Sequence, residues 1–127
     1  MQQILVIDDS NFITETLHHY LSFEGYEVLI ATDGAQGIEM IDEYKPELVV
    51  TDVIMPIKNG VEVVLHLRSF HPEITIIAMS SGGTILAEDH LSKILILGAD
   101  FVLNKPFTRR ELLSTVAIAL EKEHVIN

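Results

Sequence analysis

Cysteine and tryptophan are both missing from the 127 residues, proline occurs 4 times, and basic side chains are scarce, 8 against 19 acidic ones. Without cysteine the chain has neither a disulfide nor a thiolate metal site. The formal charge of −11 opposes non-specific attraction to DNA or to anionic lipid. No apolar run approaches the roughly 20 residues of a membrane helix, and the start, Met-Gln-Gln-Ile, lacks the basic region of a signal peptide. Internal repeats, low-complexity tracts and Pro/Gly/Ser linkers are absent too. These absences leave a cytoplasmic, acidic, single domain over residues 1–127, long enough to bury about two-thirds of its unfolded surface.

Short β-branched runs alternate with helical patterns. Ile4 to Ile7, Glu27 to Ala31, Leu48 to Thr51, Ile74 to Met79 and Phe101 to Leu103 predict strands. Their apolar stretches are continuous rather than alternating, which indicates burial on both faces and so a parallel sheet. Between them lie helices with readable ends. Ile13, Leu17, Tyr20 and Leu21 share one face of the first, which stops at Gly25. Asp33 and Gln36 stand at capping-box spacing before the second, which ends ahead of Pro46. Asn59 and Glu62 repeat the box for a third helix. A fourth carries Leu91, Ile94 and Leu95 and closes at Gly98. Thr108 and Glu111 cap a fifth, with Leu113, Val116, Ala117 and Leu120 as its buried stripe. The alternation predicts a doubly wound α/β fold, with helices on both faces of a five-stranded parallel sheet.

Ligands of such sheets bind beyond the carboxyl ends of the strands. The residues expected there are Asp8 and Asp9, Thr32 and Asp33, Asp52, Ser80 and Ser81, and Lys105. In the strand order 2-1-3-4-5 the first and third strands are neighbours and Asp8, Asp9 and Asp52 converge. In the order 3-2-1-4-5 Asp52 lies about twice as far away. Periodicity leaves both orders open. If the carboxylates converge at about 5 Å, they repel by roughly 3 kcal/mol at an effective dielectric near 20. Such a group takes up a proton or holds a cation, and hard oxygen donors on a small site favour Mg²⁺. An aspartate nucleophile, a divalent metal, a hydroxyl and a lysine together make a phosphoryl-transfer site.

Over essentially its whole length the chain resembles the receiver domains of bacterial two-component response regulators, in the stand-alone form of the chemotaxis regulators. The resemblance rests on Asp8-Asp9 after Ile-Leu-Val-Ile, on Asp52 in Thr-Asp-Val-Ile-Met-Pro with Gly60 following, on Ser80, and on Lys105-Pro106-Phe107. It implies the flavodoxin-like order 2-1-3-4-5. Asp52 becomes the phosphoacceptor, and Asp9, Asp52 and the backbone carbonyl of Ile54 become direct Mg²⁺ ligands, with Asp8 acting through water. Lys105 holds the phosphoryl group, Ser80 turns toward it, and the Lys105–Pro106 bond is cis. The implied partners are a sensor histidine kinase or a histidine phosphotransfer protein, docking near Asn11, Phe12 and Pro106, and a downstream protein. Direct nucleic-acid or membrane binding is not expected, nor is enzymatic turnover beyond self-phosphorylation and autodephosphorylation. The chain ends about fifteen residues past the fifth cap, so a stand-alone domain is expected.

Two features depart from the family pattern. The signalling aromatic commonly lies three residues before the lysine, where this chain has Val102; Phe101 is adjacent but points to the opposite face. The stretch from Ser80 to Lys105 is longer than usual. It holds Ser81-Gly82-Gly83 and the run Ile94 to Leu97, which at about 100° per residue covers every side of a helix. Ile96 and Leu97 are therefore expected to meet a partner or a second copy of the chain, together with the fifth strand and fifth helix. Plainer readings explain other residues. Asp33 and Thr32 serve the cap, and the Ser-Ser-Gly-Gly loop lacks the Lys-Ser/Thr of a phosphate-binding loop. The six histidines show no ligand spacing and are expected at the surface or half-buried. Rival functions are a phosphorylation-independent binding module of the same fold and a small Mg²⁺-dependent aspartyl-phosphate phosphatase. The latter wants an Asp-x-Asp spacing that Asp8-Asp9 does not supply.

Overall fold

The computed structural model describes residues 2–53, 60–81 and 98–125. Strands β1 (Gln3–Ile7), β2 (Glu27–Ala31), β3 (Leu48–Asp52), β4 (Thr75–Ser81) and β5 (Phe101–Lys105) form one sheet in the order β2-β1-β3-β4-β5. Every neighbouring pair is parallel. Of the two orders left open by periodicity, the structure has the one that sets β1 beside β3. Helices α1 (Asn11–Phe23), α2 (Gly34–Tyr44) and α3 (Gly60–Phe70) join successive strands from β1 to β4, and α4 (Arg109–Val125) follows β5; α4 is the fifth helix predicted from sequence. The fourth predicted helix, with Ile96 and Leu97, lies outside the described residues, as do Ile54, Met55, Pro56 and Asn59. Among the described residues no helix is long and apolar enough to cross a membrane.

Strand side chains alternate between two cores. Leu5, Ile7, Val49, Ile76 and Ala78 face α2 and α3, where they meet Ile41, Val63, Val64 and Leu67. Ile4, Val6, Leu48, Val50, Ile77 and Met79 face α1 and α4, against Leu17, Leu21, Leu112 and Val116. Each of the larger side chains contributes about 1.5–3 kcal/mol through its burial. The central strands β1 and β3 are therefore buried at nearly every position, whereas edge strand β2 is only partly covered.

The helix ends follow the sequence in most respects. Ser10 caps α1 by accepting from Ile13 N, and Gly25 ends the turn after it at φ +94°. Asp33 Oδ1 accepts from Gln36 N at 2.8 Å, but Gln36 answers by accepting from Thr32 N rather than from Asp33. Thr108 and Glu111 close a reciprocal box, at 3.0 and 2.9 Å. The stripe predicted for this last helix is shifted: Leu112, Val116, Ala119 and Leu120 are buried, Leu113 is half-buried and Ala117 is exposed. Val116 and Leu120 are buried as predicted, while Leu112 and Ala119 take the places expected for Leu113 and Ala117, because Leu112 rather than Leu113 faces the sheet.

Candidate functional site

The parallel strands all end on the same edge of the sheet, and four of them carry the polar groups there. β1 runs into Asp8 and Asp9, and β3 ends on Asp52 itself. β4 and β5 run further than predicted, to Ser81 and Lys105, so Ser80 and Lys105 lie within strands rather than after them. The reason is continued ladder pairing, Ser80 with Asn104 and Ser81 with Lys105. Because β1 and β3 are neighbours, carboxylate oxygens of Asp8, Asp9 and Asp52 come within 4.8 Å of one another.

Burial divides these acids. Asp8 and Asp52 are buried, whereas Asp9 is exposed. Lys105 Nζ reaches across the sheet edge to Asp8 Oδ2 at 2.7 Å and to Asp52 Oδ1 at 3.4 Å. Asp8 Oδ1 accepts from Ser10 N at 2.9 Å, and Asp52 Oδ1 accepts from Val53 N at 2.9 Å. One ammonium thus serves two buried carboxylates, leaving a surplus of negative charge. Burial pushes the Asp52 carboxyl above its ordinary value and the neighbouring Asp8 carboxylate adds to this, while Lys105 and the Val53 N–H oppose it. The donor set is oxygen only, and the exposed Asp9 leaves a solvent-facing side on which waters can remain. That combination fits a small hard cation of the Mg²⁺ kind.

Ser80 is buried near the end of β4, two residues past the register partners Ala78 and Val102. Val102 packs into the core beneath α2 and α3, and Phe101 into the core on the α1–α4 side. Phe101 therefore lies on the opposite face from Val102, as its one-residue offset requires. The Lys105–Pro106 bond is cis. Asn11 and Phe12 are exposed at the start of α1. Phe12, Ile13, Tyr20, Lys105, Pro106 and Phe107 line a groove of about 430 Å³ between α1 and the β5–α4 turn.

Two groups of residues were not singled out by sequence reasoning. Histidines His66 and His71, expected to have no ligand relation, both meet Asp42 of α2, at 2.8 and 2.9 Å. They lie 24 and 29 residues from it along the chain, too far for any local spacing to reveal. Arg68 of α3 donates to the carbonyls of Gly98 and Ile74, both at 2.8 Å, and pairs with Asp100 at 2.7 Å.

The family model for the response regulator receiver domain matches residues 4–117. The transcriptional regulatory protein CpxR of Klebsiella pneumoniae is 36% identical over 126 residues, covering 98% of this chain and 51% of that protein. The response regulator MprA of Mycobacterium leprae is 37% identical over 123 residues, with 94% and 51% covered. The chain thus spans about half the length of these relatives. A crystal structure of a CheY-like receiver domain protein from Methanospirillum hungatei JF-1 superposes with a TM-score of 0.92 at 26% identity, covering 100% of this chain and 99% of that one.

Proposed function

Since the chain belongs to the response regulator receiver domain family of two-component signalling, we propose that Asp52 is its phosphoacceptor, taking a phosphoryl group from a phosphohistidine. The observation that carries this reading is the placement of Lys105 Nζ 2.7 Å from Asp8 and 3.4 Å from Asp52, at a sheet edge where three carboxylates converge. A carboxylate oxygen of Asp52 attacks phosphorus in line, the P–N bond to the donor histidine breaks, and an acyl phosphate remains on Asp52. Lys105 already lies beside the attacking carboxylate and neutralises charge on the incoming phosphoryl oxygens. Asp8 holds the Lys105 ammonium at the site, and the Ser10 N–H in turn holds Asp8. Ser80, buried near the end of β4, supplies the hydroxyl that turns toward the acyl phosphate.

Asp9, Asp52 and the Ile54 carbonyl are the proposed direct ligands of Mg²⁺, with Asp8 acting through water; Ile54 lies outside the described residues. When bound, Mg²⁺ neutralises the carboxylate cluster and the phosphoryl oxygens. The domain is a switch rather than a metabolic enzyme, since one phosphorylation biases a conformational equilibrium. The donor, a sensor histidine kinase or a histidine phosphotransfer protein, docks over Asn11, Phe12 and Pro106. Phe12 is 75% exposed there, and the apolar groove it lines reaches Lys105, whose Nζ is 3.4 Å from Asp52 Oδ1. Output passes through protein contacts. CpxR is a transcriptional regulator, so a nucleic-acid response in this system would be reached through such contacts or through a further domain.

The test is incubation with a small phosphodonor such as phosphoramidate and Mg²⁺, followed by mass measurement. One acid-stable, base-labile phosphoryl group is expected on the native chain and none on Asp52→Ala. An adduct that persists in Asp52→Ala overturns the assignment. Sustained turnover of a phosphate ester would favour the phosphatase alternative instead.

A further inference from the structure

The sheet edge that holds Asp52 is one end of the domain; a second set of metal-binding side chains lies at the other. Asp42 sits in the last turn of α2, His66 near the end of α3, and His71 directly after it. Both helices run back from the Asp52 edge, so their C-terminal ends lie near the starts of the strands. Asp42 Oδ1 is 2.8 Å from His66 Nε2 and 2.9 Å from His71 Nε2. The two imidazole centroids are 5.9 Å apart with a 49° angle between the ring planes, and both rings turn Nε2 to the same Asp42 oxygen.

We propose that Asp42, His66 and His71 form a second divalent-cation site, one that takes a borderline transition metal such as Zn²⁺ rather than the hard cation of the acidic pocket. Three points carry it. First, two imidazole nitrogens with one carboxylate oxygen are a donor set for zinc and its neighbours, whereas Mg²⁺ favours oxygen alone. Second, the geometry is nearly in place. Ligands at about 2.1 Å from one ion lie about 3.0 Å apart at a right angle and about 3.4 Å apart in a tetrahedron. The observed oxygen–nitrogen separations of 2.8 and 2.9 Å need only a few tenths of an ångström of opening, and the ligand atoms of all three residues lie within 4.8 Å of one another.

Third, the rings are held before any ion arrives. His66 and His71 side chains are 18% and 12% exposed, and the His66 ring packs on Phe70 at 4.9 Å. Asp42 is 52% exposed and gives an ion an entrance from solvent. The partial negative charge at the C-terminal ends of two helices also favours a cation there. With three protein ligands, a remaining position stays open to water or to a partner's side chain. The imidazoles hold the Asp42 carboxyl below its ordinary range, so it is ionised at neutral pH. Metal binding replaces these hydrogen bonds: the proton leaves Nε2, or resides on Nδ1, and the Nε2 lone pair points to the ion.

The test uses the full chain with Zn²⁺, and with Co²⁺ as the spectroscopic probe, in excess Mg²⁺ so that the acidic pocket is saturated. Binding of one Zn²⁺ per chain is expected by calorimetry, together with a Co²⁺ visible spectrum showing nitrogen coordination. At a hundredfold excess over its dissociation constant, Zn²⁺ should raise Tm by about 10 °C. His66→Gln and His71→Gln should each weaken binding at least about tenfold, while Asp52→Asn should leave it unchanged. Circular dichroism and phosphorylation at Asp52 report that the histidine variants remain folded. Three results would overturn the site: no Zn²⁺ binding to the native chain, binding retained in both histidine variants, or binding lost in Asp52→Asn.

Discussion

Lys105 lies closer to Asp8 than to Asp52: its Nζ is 2.7 Å from Asp8 Oδ2 and 3.4 Å from Asp52 Oδ1. Before phosphorylation the ammonium is therefore anchored mainly by an acid other than the one proposed to accept the phosphoryl group. Asp8 is held in turn by the Ser10 N–H, at the N-cap of α1. A phosphoryl group arriving on Asp52 gives Lys105 a stronger anion without requiring it to leave the sheet edge.

Lys105→Ala removes the cation that faces both carboxylates. Phosphorylation by a small donor is expected to slow by at least about tenfold, the low end of what one charge-stabilising group contributes in a transfer reaction. The fold should survive, because Lys105 is the last residue of β5 and is not part of either apolar core. Asp9→Ala should also slow phosphorylation, mainly by raising the Mg²⁺ concentration it requires. Rates measured against Mg²⁺ concentration, with circular dichroism as the fold control, check both. Unfolding of both variants would make these residues structural instead.

Asp52 carries a pH signature of opposite sign to that of a paired surface acid. Its folded-state value is raised above 3.8, chiefly by burial and then by Asp8. Between the unfolded and folded values the native state therefore binds more protons than the unfolded one. The stability that Asp52 contributes is fully present below 3.8 and is lost as pH rises through the folded value. At pH 7 without metal, Asp52→Asn should be more stable than the native chain by about 1 kcal/mol, or about 4 °C in Tm. Below the ordinary carboxylate value the difference should vanish. Thermal unfolding in a chelator across the acid range measures it, and added Mg²⁺ should raise the native chain's Tm more than the variant's.

Much of this is legible in the sequence. Ile4 to Ile7 and Leu48 to Val50 are apolar at every position because both faces of the central strands are covered, and that pattern gives the fold class. Thr108 and Glu111 announce a helix start because the box acts within four residues. The acidic site was legible only in part. Asp8 and Lys105 are 97 residues apart, and their meeting depends on strand order, which periodicity left open. For the same reason the Asp42–His66–His71 group went unseen, since it depends on how α2 packs against α3. The stripe of α4 is legible at Val116 and Leu120 but not at its start, because Leu112 and Leu113 are equally apolar and only packing decides which one faces in.

Gly60 leaves no room for a side chain. A Cβ there would lie 2.8 Å from Val53 Cα and closer still to the Asp52 carbonyl oxygen, while Gly60 N donates to Val53 O at 2.8 Å. The first turn of α3 is thus packed directly on the backbone that carries Asp52. Gly60→Ala should cost about 1–3 kcal/mol by overpacking against atoms that cannot move aside. It should also slow phosphorylation even where the variant is fully folded, because relief requires displacing the end of β3. Chemical denaturation and the phosphodonor rate report the two effects separately. A normal rate together with a large stability loss would show that α3, and not β3, gives way.

Arg68 ties three segments of chain together at the edge of the sheet opposite Asp52. Its guanidinium donates to Gly98 O and Ile74 O at 2.8 Å, to Pro72 O at 3.1 Å, and to Asp100 Oδ2 at 2.7 Å. The same Asp100 oxygen accepts from Ile76 N at 2.9 Å, so the pair fixes how β4 and β5 enter the sheet. The planar fork matters here, because a lysine ammonium cannot reach several carbonyls and a carboxylate from one rigid plane. Arg68→Ala should cost about 2–3 kcal/mol, less than a fully buried pair because both partners retain some solvent contact. Arg68→Lys should recover less than half of that. Urea unfolding measures both. Phosphorylation at Asp52, assayed well below the transition, should stay near the native rate, because Arg68 touches the starts of β4 and β5 whereas Ser80 and Lys105 lie at or near their ends.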